Sequence, residues 1–277
     1  MSERKVYDFD QAFDERIGAF MKKKKGKFTE EEWEDIIGEQ YKKFSETVSE
    51  KFGCTPVEYY SRMPKEELKE ELRARFAQKV NIDGFLRAAA EEEKNRSVLF
   101  DLLNGNEEEA IFAVAVLGDQ KEAYADYLSL LCRTDNELLQ GELTEILKEH
   151  ADELAEELVK LYRSGAAGDC IADILSRCSI RREDVYGILI ESFRISERPG
   201  EAAERLAYYG DERAVAVISE RLEEPVGYND WHGMKYAAES LGGKVSERDF
   251  SGDRDYIKVK EEEARLEAER ESATGKA

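Results

Sequence analysis

Histidine is nearly missing from this chain. His150 and His232 are the only two in 277 residues, so neither an H-E-x-x-H site nor a multi-histidine metal centre can be assembled. A Ser-His-Asp triad would have to recruit one of them, and no G-x-S-x-G precedes a helix. Gly26-Lys27 and Gly243-Lys244 lack the glycine five places upstream that a phosphate loop needs, and no G-x-G-x-x-G occurs. No metal or cofactor is expected. Cysteine is sparse: Cys54, Cys132, Cys170 and Cys178 form no C-x-x-C. On one helix the last two would stand roughly 12 Å apart, too far to bridge. Reduced thiols in a cytoplasmic protein are the expectation. Only four prolines occur, which disfavours a sheet protein with many turns. Long apolar runs are absent too. The longest, "AIFAVAVLG" at 110–118, is far below the roughly 20 residues that span a bilayer. The start, "MSERKVYDFDQAFDERIGAF", has acids where a signal peptide needs an apolar stretch.

Positive charge is scarce in the second part of the chain. Residues 1–105 hold 23 acidic and 20 basic residues; of the totals of 63 and 42, this leaves 40 acidic and 22 basic for the rest. Residues 106–243 alone hold 30 acidic and 14 basic. A phosphate backbone would be repelled over most of this surface, so nucleic acid is not expected as a partner. A basic protein or peptide is.

What is abundant is helical periodicity. Phe9, Phe13, Ile17, Phe20 and Met21 share one helical face before "KKKKGK". Trp33, Ile37, Phe44, Val48 and Phe52 mark a longer helix that Gly53 should end. Thr55, Pro56 and Glu58 form a capping-box start, Pro64 opens the next helix, and one helix is expected from Ile82 to Leu103. From residue 105 the pattern tightens to short helices near 107–117, 119–132, 135–149, 150–163, 166–178, 181–194, 199–209, 211–224 and 231–241. Asp119, Thr134, Ser179 and Asp211 are the expected N-caps.

Two of these stretches repeat. "EEAIFAVAVLGDQKEAYADYLSLL" at 108–131 matches "GEAAERLAYYGDERAVAVISERL" at 200–222 with an offset of 92, pairing Gly118 with Gly210 and Asp119 with Asp211; "KYAAESLGG" at 235–243 echoes them. Gly210 suits a left-handed helix stop and Asp211 an immediate restart, so paired helices should lie antiparallel. Ala202, Ala203 and Ala207 would let helix backbones approach. These residues resemble the HEAT-like repeats, especially the short bacterial type, over roughly half the chain. The resemblance implies an all-α fold, a right-handed α-solenoid of helical hairpins. The expected organisation is an N-terminal helical region at 1–104, repeats at 105–243, and a C-terminal cap with a charged, partly disordered tail at 244–277.

Repeat scaffolds host many activities, so the resemblance carries fold better than function. A non-enzymatic scaffold is the favoured reading. Its second helices, near 119–132, 150–163, 181–194 and 211–224, would form an acid-rich concave ridge through Glu122, Asp126, Glu153, Glu157, Glu191 and Glu220. Glu153, Glu157 and Glu191 should face solvent while Leu154, Leu158 and Leu161 face the core. The resemblance also admits an enzyme of the lyase or glycosylase type; an acidic mimic of nucleic acid is a third class. "GYNDWHGMKY" at 227–236 gathers Tyr228, Trp231, His232 and Tyr236, readable as a binding hot spot or, more simply, as an aromatic plug on a terminal hairpin. "DFSGDRDYIKVK" at 249–260 spaces acids alternately but lacks the glycine and final acid of a calcium loop, so a solvated acidic turn is expected. The lysine run after the first helix could touch an anionic membrane, but Asp8, Asp10, Asp14 and Glu15 oppose this, and no membrane contact is expected.

Overall fold

Local capping signals decide where many of the helices begin. At Thr29–Glu32 and Thr55–Glu58 the hydroxyl accepts the N3 amide while the glutamate reaches back, so both boxes close. Asp8, Asp83, Asn106 and Asn136 each accept one first-turn N–H. The computed structural model describes residues 6–274. Residues 1–5, where the reading against a signal peptide begins, and 275–277, the end of the expected disordered tail, lie outside the described residues. Among the described residues the regular structure is helical throughout, without strands, and no helix is long and apolar enough to cross a membrane.

The chain divides into two compact units, Met1–Leu130 and Leu131–Ala277. The first holds α1 (Phe9–Lys23), α2 (Glu30–Glu46), α3 (Pro56–Ser61), α4 (Lys65–Gln78), α5 (Gly84–Glu91), α6 (Arg96–Leu103), α7 (Glu107–Leu117) and nearly all of α8 (Tyr124–Leu131). Phe9, Tyr60, Leu68, Leu72, Leu86, Leu99, Leu102, Val114 and Tyr127 are core residues of this unit. Asp10 ties three helices together, accepting the Tyr41 hydroxyl at 3.0 Å and the Gly84 N–H at 2.9 Å.

Several expected boundaries move. The second helix stops at Glu46, not Gly53: Thr47 is extended, its hydroxyl donates to the Lys43 carbonyl at 2.5 Å, and Val48 is exposed. The single helix expected over 82–103 is broken at Glu92, also extended, because buried Asn95 donates its side-chain amide to the Ala89 carbonyl at 2.7 Å. Gln120, not Asp119, precedes the next helical turn, and Asp119 accepts the Tyr124 hydroxyl at 2.5 Å instead.

The second unit holds α9 (Glu137–Lys148), α10 (Ala151–Arg163), α11 (Gly168–Leu175), α12 (Glu183–Ile195), α13 (Pro199–Tyr209), α14 (Ala214–Leu222), α15 (Tyr228–Ser240) and α16 (Arg254–Thr274). Asn136 rather than Thr134 caps α9; the Thr134 hydroxyl accepts the Asn136 N–H. Ser179 caps nothing, because α12 starts at Glu183 and Asp152 holds the Ser179 amide and hydroxyl. Among the described residues, α10–α11, α11–α12, α12–α13, α14–α15 and α15–α16 pack as neighbours in sequence, and α9–α11, α10–α12, α11–α13 and α13–α15 as next but one. Polar links between neighbours recur: Asp152 with Ser179, Arg182 with Tyr209, Gly200 with Asp230 and Tyr228 with Asp253, spaced 27, 27, 30 and 25 residues apart.

The α13–α14 reversal turns on Gly210, left-handed at φ 72° and ψ 31°, whose N–H returns to the Leu206 carbonyl. Asp211 accepts the Arg213 N–H at 3.0 Å and opens the next turn. The matching Gly118 also has positive φ, 56°, but its ψ of −139° takes the chain elsewhere. A Cβ on Gly210 would meet the Arg181 guanidinium at 3.0 Å. Gly210→Val should therefore cost about 1–3 kcal/mol through the strained backbone. An unchanged urea midpoint for the second unit would contradict this.

Candidate functional site

Helix α10 turns Ala151, Ala155 and Leu158 into the core. At 100° per residue this leaves Asp152, Glu153, Glu156 and Glu157 on the outer side, and all four are exposed. Of the expected inner row, Leu158 is buried, whereas Leu154 and Leu161 are only half-buried. The small alanines allow α10 to lie close to α11, and that closeness turns the leucines to the flanks of the contact. Asp152 also has a structural task. It accepts the Ser179 N–H at 2.9 Å, the Ser179 hydroxyl at 2.5 Å and the Ile180 N–H at 3.1 Å. The Ser179 hydroxyl, more than these amides, holds its carboxyl below the usual aspartate range. Glu191 stands on the exposed side of α12 and pairs with Arg163 of α10 at 2.8 Å. Glu153, Glu157 and Glu191 are therefore brought to the outer side of two packed helices. Glu220, on α14, is exposed as well, whereas Glu122 and Asp126 belong to the first unit.

Where α10 and α12 end, a groove of about 550 Å³ opens between the α10–α11 and α12–α13 links. Asp169, Glu191 and Glu197 supply carboxylates, Arg198 a guanidinium, and Tyr162 and Ile195 apolar walls. Ile195 is 74% exposed, an unusual cost for a large aliphatic side chain at a helix end. Glu191 and Asp169 are bound by Arg163 and Arg205, and Arg198 is held by Glu201, but Glu197 forms no ion pair among the described residues. Burial raises the Tyr162 phenol above its ordinary pKa, keeping the ring neutral. Sequence reasoning singled out only Glu191 here. The available signal was the "SGAAG" interruption at 164–168, where Gly165 (φ 83°) and Ala167 (φ 45°) are both left-handed.

The aromatic group at 228–236 is packed as a plug. Trp231 is buried and its ring lies 5.1 Å from Phe250; Tyr228 meets Phe250 at 5.4 Å, Tyr256 at 5.0 Å and His232 at 5.6 Å. His232 and Tyr236 remain exposed. The segment covering this group is fastened at both ends. Arg248 donates to the Glu224 carbonyl at 3.0 Å and to that of Leu222, satisfying the end of α14. Asp253 accepts the Tyr228, Asp255 and Tyr256 amides. The acids of the calcium-like stretch are thus occupied within turns: Asp249 accepts the Ser251 N–H, and Asp255 pairs with Lys258.

A second polar centre, unread in the sequence, lies inside the first unit. Arg75 is fully buried and donates to the Asp83 carboxylate at 3.0 Å, the Tyr60 hydroxyl at 2.6 Å, and the carbonyls of Tyr7 and Asn81 at 2.5 and 2.6 Å. Asp83 also accepts from Tyr60 at 2.9 Å and caps α5 at Leu86. Burial pushes the Asp83 carboxyl upward, against the pull of the Leu86 amide and Arg75. Every strong partner is internal, so the cluster serves folding. The four cysteines are free thiols; Cys178 donates to the Ala151 carbonyl, and burial pushes it up to about 11, which suits an inert thiol. Among the described residues no group of three or more His, Cys, Asp or Glu could hold a metal ion. No protein-family model, no curated protein and no solved structure matches this chain.

Proposed function

We propose that this protein is a HEAT-like binding scaffold, a right-handed stack of helical hairpins that takes a basic protein or peptide on its acidic outer helices. The observation that carries this reading is the exposed side of α10, where Asp152, Glu153, Glu156 and Glu157 stand together, with Glu191 of α12 at the far end paired with Arg163. The hairpin reading draws support from contacts between helices two apart, α9–α11, α10–α12, α11–α13 and α13–α15, and from polar links recurring at 25 to 30 residues. Free cysteines fit a cytoplasmic setting. The aromatic group at 228–256 favours a cap over a catalytic pocket, because Phe250 covers Trp231.

Long-range attraction of a cationic guest to such a face is screened beyond a Debye length of about 8 Å at physiological salt. Reversing Glu153, Glu157 and Glu191 to lysine should slow association of a labelled polylysine peptide by about tenfold at low salt. Helicity should be unchanged, because all three positions are solvent-exposed and an exposed pair such as Glu191 with Arg163 is worth about 0–1 kcal/mol. Stopped-flow fluorescence measures the rate and circular dichroism the fold. An association rate that ignores both the triple change and salt would overturn the proposal.

A further inference from the structure

We infer that the groove at the ends of α10 and α12 is the anchor site for an arginine side chain of the basic partner, an inference that rests on the binding function proposed above. Its charge favours a cation through one carboxylate: Arg163 and Arg205 pair with Glu191 and Asp169, and Glu201 pairs with Arg198, which leaves Glu197 unmatched. Glu197 is the carboxylate left to receive a guest, since it forms no ion pair or hydrogen bond among the described residues. Helix α12 adds to the field. No backbone N–H of Ser196 or Glu197 returns to its last carbonyls, so the negative end of the helix dipole faces this region without a backbone cap.

The walls select among cations. Ile195, 74% exposed, offers aliphatic surface for a methylene stem, and Tyr162 a ring face for a planar cation. The unit already uses this combination internally. Arg163 lies 6.0 Å from the Tyr162 ring centroid while pairing with Glu191, and Arg213 lies 4.2 Å from the Tyr186 centroid while pairing with Glu183 at 2.9 Å. A guanidinium can lie flat on a ring while forking to a carboxylate, whereas an ammonium makes both contacts only as a point charge, as Lys235 does over Trp231 at 5.2 Å while paired with Glu247. A volume of about 550 Å³ accepts one arginine with a neighbouring apolar residue.

The test uses the full chain and short labelled peptides alternating arginine, lysine or citrulline with leucine, read by fluorescence anisotropy. The arginine peptide should bind more tightly than the lysine peptide, and the citrulline peptide should not bind. Ile195→Ser with Glu197→Lys, both exposed positions, should weaken the arginine peptide by about tenfold or more. Glu153→Lys with Glu157→Lys should weaken the arginine and lysine peptides alike. If the groove variant stays within about twofold of the parent while the α10 variant loses affinity, the anchor is wrong and the acidic scaffold stands. Equal loss of both peptides in the groove variant overturns the choice of arginine. No binding of either peptide at about 100 µM sinks both readings.

Discussion

Arg75→Met should destabilise the first unit by about 3–5 kcal/mol, the usual cost of leaving one member of a buried ion pair alone. Arg75 and the Asp83 side chain are both fully inaccessible, and the lost guanidinium would take the Asn81 carbonyl's donor and leave the Tyr7 carbonyl only the Tyr60 hydroxyl. Urea unfolding followed by tyrosine fluorescence measures the loss. Its pH dependence has a definite sign. Burial already raises Asp83 above its unfolded value, and removing Arg75 raises it further. An acid raised in the folded state favours folding while protonated and loses that advantage as pH climbs past the unfolded pKa. The variant should therefore lie closer to the parent near pH 4 than near pH 7. Arg75→Met combined with Asp83→Leu should recover part of the loss, though Asp83 also caps α5. A gap between parent and single variant that is constant across this range would show that the charge pair is unimportant.

Gly233→Val should be comparably damaging in the second unit. A Cβ on Gly233 would stand 2.9 Å from the Gly200 Cα, and one on Gly200 would stand 2.9 Å from the Asp230 Cα. These neighbours are backbone atoms, which cannot rotate away, and both glycines are buried. The α13–α15 contact is the most extensive helix pairing in the molecule, so it must open or shift. Such overpacking costs about 1–3 kcal/mol and sometimes more; Gly233→Ala should fall at the lower end. Gly252→Ala, with open space around its Cβ, is the matched control. Equal urea midpoints for Gly233→Val and that control would refute the backbone-contact argument.

These two positions show what could be read in the sequence and what could not. The alanines of α13 announced close packing, and Ala202 and Ala203 are indeed buried. The glycines that set the distance were hidden, because Gly233 sits in an aromatic stretch and Gly200 follows a proline. Helix α7 begins and ends where the helical rhythm put it, over 107–117. Identical Gly-Asp pairs nevertheless close two different turns, since ψ at Gly118 and Gly210 depends on what each following segment packs against. Nothing in the sequence sets Arg75 apart from the other cations of α4. Its partners, the carbonyl of Tyr7 and the cap residue Asp83, lie 68 and 8 residues away, and no local pattern joins them. For the groove, Glu191 was legible as an exposed acid. Ile195 and Glu197 were not, because the space beside them comes from a turn 30 residues earlier in the chain.

Asp253 gives the end of the chain a mechanical character. One carboxylate receives an amide from the start of α15 and two from the start of α16, so it acts as a rivet through both helix ends. Helix α16, at about 1.5 Å per residue, is consequently a strut roughly 30 Å long whose bearing is fixed at its root. The Tyr256 amide above all, with those of Tyr228 and Asp255, holds the Asp253 carboxyl below the usual aspartate range, so the rivet is charged at neutral pH.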